Sequence, residues 1–130
     1  MNTFAELAAS RRAWIDNILQ PWCVQVERRQ LLLAHEEWND IAGRVAPEDT
    51  LWTWAWSRFP DLVHDGLAGV NETRQVKVTL NSGDSYTGFP DGRKSERGQL
   101  VLISSSDTGF AEHGPWSIDD IAEITVAKQL

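Results

Sequence analysis

The chain has 130 residues, 42% of them hydrophobic, with seven tryptophans, one cysteine and a formal charge of −7. This length fits one compact unit that buries somewhat under about 70% of its unfolded surface. The single Cys23 excludes an internal disulfide or a Cys-Cys metal motif. The acidic excess is shared by both halves and counts against nonspecific nucleic-acid binding, where phosphate neutralisation by Lys and Arg dominates.

The N-terminal residues show no basic region followed by a long apolar run. The expectation is a cytoplasmic protein with no membrane anchor. Thr3 and Glu6 form a capping-box pattern. From there Phe4, Leu7, Ala8, Trp14, Ile15, Ile18 and Leu19 recur at helical spacing, predicting a helix from Phe4 to Leu19. Pro21 lacks an N–H and crowds the carbonyl four residues earlier, so it kinks that helix or opens the next one. A second helix is expected from Pro21 to Ala42, on the recurrence of Val26, Leu33, Trp38 and Ile41, with Gly43 as its C-terminal cap.

Ala46-Pro47-Glu48-Asp49-Thr50 restarts the chain, with proline early and acids in the first turn. Leu51 to Pro60 then holds three tryptophans. On a helix, Trp52, Ala55, Trp56 and Phe59 share one face while Trp54 points nearly the opposite way. A helix apolar on most sides belongs between layers, so this segment is read as a wedge between a helical layer and a β layer. Phe59 to Gly66 reads as a turn with one or two helical turns, and Leu67 to Thr73 as a connector.

Beyond residue 73 the period becomes two. Val76, Val78 and Leu80 alternate with Lys77 and Thr79 as a half-buried strand, Asn81-Ser82-Gly83-Asp84 is a tight hairpin turn, and Ser85 to Phe89 returns, with Gly88 marking a bend or bulge. After a polar loop from Pro90 to Gly98, Gln99 to Ser104 is apolar on both faces and reads as a central strand. Ser105 to Gly114 is expected to be a loop or irregular hairpin. Gly114 to Ile118 makes a fourth strand, Asp119-Asp120 a tight turn, and Ile121 to Val126 a fifth strand. Residues 1–70 are thus expected to form a helical layer and 71–130 a five-stranded half, sharing one core.

The strand half, through Val76 to Phe89, Gly98 to Ile103 and Ser117 to Ile124, resembles the Sm-like and SH3-like small barrels. The resemblance implies an α+β fold in which a three-helix N-terminal layer packs on a five-stranded, partly open antiparallel barrel. Sm-like proteins grip RNA with an Asn before the central strand and an Arg-Gly pair late in the barrel. Here those places hold Arg93-Lys94-Ser95-Glu96-Arg97-Gly98 and Asp119-Asp120. The pattern is also similar to the bacterial Rho-binding antiterminator, which works through protein contact. Residues before the strand half resemble no family.

No residue set supports catalysis, metal binding or a cofactor. His35-Glu36-Glu37-Trp38-Asn39-Asp40 offers no face with two imidazoles. His64-Asp65 are adjacent and do not face each other on a helix. Ser104-Ser105-Ser106 lacks a glycine-framed nucleophile elbow, and Asp119-Asp120 supplies too few oxygens for a hard cation. The first functional reading is a non-enzymatic protein-interaction module, monomer or homodimer, with Trp54 and Arg58 as a candidate contact patch. The alternative is single-stranded RNA binding by Tyr86, Phe89, Arg93, Lys94 and Arg97, basic groups set near aromatics. A small hydrolytic enzyme is a third and weaker reading, since no acid, base and nucleophile set can be nominated.

Overall fold

A computed structural model describes residues 10–64, 67–106 and 108–127. The capping-box residues Thr3 and Glu6, and Asp65 of the His64-Asp65 pair, lie outside the described residues. The architecture is α+β: four helices, three of them short, and a five-stranded antiparallel sheet.

Helix α1 covers residues 10–25 and does not stop at Pro21. Directly before the proline, Ile15–Leu19 widens into a π turn, and the Gln20 N–H reaches back to the Ile15 carbonyl. Such a widened turn lets a helix continue past a residue that cannot donate and whose ring crowds the preceding turn. The break falls later. Val26 and Glu27 are both extended, with ψ of 160° and 154°, so the segment predicted as one helix from Pro21 to Ala42 is split. Its later part forms α2 (Arg28–Glu36) and α3 (Trp38–Ala42), joined at Glu37, with Gly43 at φ +84° closing the run. The three predicted helices are therefore four, the fourth being the wedge α4 (Leu51–Trp56), preceded by a 3₁₀ turn at Pro47–Asp49.

Strands β1 (Val76–Leu80), β2 (Ser85–Pro90), β3 (Gln99–Ser106), β4 (Gly109–Ser117) and β5 (Ile121–Val126) are ordered β4-β3-β2-β1-β5. β4 and β5 are the two edges, and the sheet does not close. β2 changes partner along its length: Ser85 to Gly88 pair with β1, and Phe89 and Pro90 with β3. Gly88 sits at the hand-over, where a side-chain carbon would stand 2.7 Å from the Ile103 carbonyl oxygen. Only glycine allows the two backbones to come this close. The stretch from Ser105 to Gly114, expected to be a loop or an irregular hairpin, is the outer end of the β3–β4 hairpin, which is paired as far as Ser106 and Gly109 and carries a register shift between Leu100 and Leu102.

One cluster of buried side chains runs through both halves. Cys23, Leu31 and Trp38 from the helices meet Leu51, Trp52, Ala55 and Trp56 of the wedge, which in turn meet Val76, Val78, Leu100, Leu102, Ile118 and Ile121 from the sheet half. Trp38 and Trp52 are about 1% exposed and Trp56 about 2%, each indole removing about 150–250 Å² from water. Polar ties cross the same seam. The Arg28 N–H donates to Asp119 Oδ1 at 2.9 Å, its Nε to the Arg97 carbonyl at 2.7 Å, and the Val126 N–H to Asp61 Oδ2 at 3.3 Å.

Candidate functional site

Where the wedge meets the sheet half, a cleft of about 480 Å³ opens between three stretches of chain. The Pro47–Asp49 turn supplies Glu48 and Asp49, the connector supplies Glu72 and Thr73 with His64 just before it, and the β2–β3 loop supplies Arg93, Ser95 and Glu96, with Trp52 and Trp56 also in the lining.

Each wall is fixed by local chemistry. Asp91 starts the β2–β3 loop as an Asx turn, its Oδ1 accepting from the N–H groups of Arg93 at 3.0 Å and Lys94 at 3.3 Å. Ser95 is buried, its hydroxyl accepting from the Val101 N–H at 2.8 Å, which pins the loop onto β3. Glu72 accepts from the Gly92 N–H and joins the connector to this loop. On the opposite wall, Thr53 Oγ1 accepts from the Gly69 N–H at 2.9 Å and donates to the Glu48 carbonyl at 3.1 Å.

The cleft's electrostatics are acidic. The Glu48 carboxyl is raised above its ordinary value, first by loss of water around it and then by the nearby Glu96 charge, with the Arg97 backbone N–H and guanidinium opposing. Arg93 is the one guanidinium among the described residues that line the cleft. No group of three His, Cys, Asp or Glu side chains among the described residues is placed to hold a metal ion.

The sequence-predicted contact residues sit elsewhere. Trp54 is half-buried, edge-on to Trp38 with ring centroids 5.9 Å apart, and borders a shallow hollow with Thr53, Leu67 and Ala68. Arg58 turns inward. Its Nη2 donates to the Cys23 carbonyl at 2.8 Å and the Val26 carbonyl at 2.9 Å, and its Nε to Ala55 at 3.0 Å. The guanidinium thus ties the end of α1 to the end of α4, and it lines a hollow that Trp54 does not share.

The five residues of the RNA reading are also separated. Tyr86 stacks on Trp116 and His113, with centroids 4.9 and 5.4 Å away, and stands opposite Val78 in the register. Phe89, an odd number of residues further on and opposite Ile103, faces the other side of the strand and shares a hollow with Arg93. Lys94 is ion-paired with Glu112, and Arg97, at φ 52°, gives its carbonyl to Arg28. Ser104 Oγ lies 2.9 Å from His113 Nε2, a cross-strand contact.

The acidic cleft was not legible beforehand. Glu48, Asp49, Glu72 and Glu96 are spread over almost fifty positions, and only the docking of the connector and loop onto the wedge gathers them. Comparison with family models, curated proteins and solved structures finds no match to the chain. No helix among the described residues is long and apolar enough to cross a membrane.

Proposed function

We propose that this protein is a non-enzymatic protein-interaction module of the cytoplasm, and that its contact site is the cleft at the seam, which receives a basic segment of a partner. The observation that carries the reading is the convergence of Glu48, Asp49, Glu72 and Glu96 around one cleft, four carboxylates against Arg93 in the lining and Arg97 beside Glu48. A lysine or arginine side chain entering there would meet carboxylates along the rim. The net charge of −7 favours encounter with a basic partner. The strand order β4-β3-β2-β1-β5, with a tight first hairpin and a bent second strand, supports reading the sheet as an open Sm-like or SH3-like barrel.

The RNA alternative has less support. Tyr86 and Phe89 face opposite sides of β2, and Lys94 already has a carboxylate partner.

The test is a titration of isotope-labelled protein with a short Lys- and Arg-containing peptide, followed by backbone resonances. Shifts centred on Gly69, Gly92 and Ser95, weakened by salt and by Glu48→Gln with Glu96→Gln, are expected. Absence of any shift at low salt and millimolar peptide overturns the cleft reading. Shifts at Phe89 and Arg93 on adding a single-stranded oligonucleotide, with none for the peptide, transfer the assignment to RNA.

A further inference from the structure

In the first turn of the wedge, the Trp52 indole Nε1–H donates to His35 Nδ1 at 2.8 Å, the two rings lying 6.1 Å apart and tilted by 46°. An indole nitrogen can only donate. His35 Nδ1 must therefore be bare, so the ring is neutral and carries its proton on Nε2. Trp52 is about 1% exposed, so its N–H has no access to water as a replacement partner. His35, in contrast, is only half-buried and lines a hollow open to solvent with Glu36, Asn39 and Arg44.

We infer that the Trp52–His35 hydrogen bond is an acid-sensitive latch that holds the wedge helix α4 on helix α2 and, through Trp52, sets part of the lining of the seam cleft. A proton arriving at Nδ1 would place N–H against N–H, leaving a buried donor without an acceptor. The charged groups around the ring are Arg97 from the β2–β3 loop, Arg44 from the turn after α3, and Glu36 on the ring's own helix, with Glu48 facing Arg97. Burial and the Arg97 charge hold the imidazole below its ordinary value against the opposing pull of Glu36, so the latch stays closed at neutral pH. Trp52 also touches the β2–β3 loop, since its ring packs on Gly98. Opening the latch would loosen one wall of the cleft and this part of its lining together. That consequence for binding rests on the cleft reading above, whereas the latch itself does not.

Nuclear magnetic resonance on the full chain without ligand tests it, with the Trp52 indole assigned by Trp52→Phe. At about pH 8, His35 is expected as the Nε2–H tautomer. On acidification the Trp52 N–H resonance should move with the His35 titration, at a midpoint below 6.5, and its exchange with water should quicken by about tenfold or more. In His35→Asn, whose amide oxygen can take the place of Nδ1 and does not titrate, the resonance should stay put. A protonated Nδ1 at pH 8, a Trp52 midpoint that differs from that of His35, or an unchanged titration in His35→Asn overturns the latch. Should His35→Asn fail to fold, the tautomer and the shared midpoint in the wild-type chain decide alone. Because no peptide is present, failure here leaves the binding titration to stand or fall separately.

Discussion

Gly98 lies against the ring of Trp52: a side-chain carbon built on it would stand 2.7 Å from Cζ3, at a backbone φ of +75°. Two penalties therefore meet at one residue. The left-handed backbone costs an L-residue about 1–2 kcal/mol, and forcing a methyl into a packed site costs about 1–3 kcal/mol. Gly98→Ala is expected to lower unfolding free energy by about 2–4 kcal/mol in urea titrations. The cost of Gly98→Ala should be smaller when measured in a Trp52→Phe background, because the smaller ring vacates the clash but not the backbone strain.

Arg58 holds two helix ends through three carbonyl contacts, so its removal leaves acceptors partly buried and unpaired. Arg58→Ala should cost about 1.5–3 kcal/mol, the range for hydrogen bonds made by a charged group. Arg58→Lys should recover less than half, since an ammonium cannot reproduce the planar fork that reaches both helices. Equal stability of the wild type and Arg58→Ala would remove the structural role and return Arg58 to candidacy as a surface contact.

Two groups give the stability profile opposite slopes. His35 is depressed below its ordinary 6.5, so the unfolded chain binds its proton first as pH falls. Its contribution is complete above about 6.5 and is lost as pH drops through that value toward the folded one. Glu48 is raised above its ordinary 4.5, so the folded chain binds its proton first, and its penalty at neutral pH is relieved on acidification. Thermal melts should show stability falling below pH 6.5 in the wild type and a flatter course in His35→Asn. Glu48→Gln should melt above the wild type at pH 7, with the gap narrowing as pH falls through the raised folded value and closed by about pH 4.5.

Cys23 is fully buried, and burial pushes its thiol up to about 12, with the Arg58 charge opposing. Since the thiolate is the reactive form, a thiol-modifying dye should label native protein no faster than the chain unfolds. Rapid labelling of folded protein would show that α1 opens locally at its C-terminal turn.

The tryptophans divide into classes that quenching can count. Trp38, Trp52 and Trp56 are sealed in the core, while Trp14 is 40% exposed. Acrylamide should quench a red-shifted fraction readily and leave a blue-shifted, resistant fraction from the sealed indoles, and Trp14→Phe should reduce the readily quenched part, with the half-buried Trp22, Trp54 and Trp116 contributing the rest.

Strands were legible wherever one face is buried, because Val76, Val78 and Ile124 then alternate with polar neighbours. The outer half of the β3–β4 hairpin was not, since Phe110, Ala111 and Glu112 are exposed on both faces and carry no alternation. The wedge could be read from its tryptophans alone. The break at Val26-Glu27 could not: neither residue disfavours helix strongly, and the chain turns there because Arg58 takes the Cys23 and Val26 carbonyls while Asp119 takes the Arg28 N–H. Those partners are more than thirty positions away. Separation in the chain likewise hid the cleft, and Trp54 meets Trp38, sixteen positions earlier, across the turn between two helices.

The placement of β5 orders events during synthesis. Its partner β1 lies some forty-five positions earlier, and Asp61 in the helical half waits for the Val126 N–H. Until the ribosome has extruded residues 121–126, β1 has one bare edge and Val76 and Val78 lack part of their cover. This unit therefore completes itself only once residues 121–126 are free to pair, and β1 and the wedge side chains that share a cluster with Ile118 and Ile121 gain their full cover together.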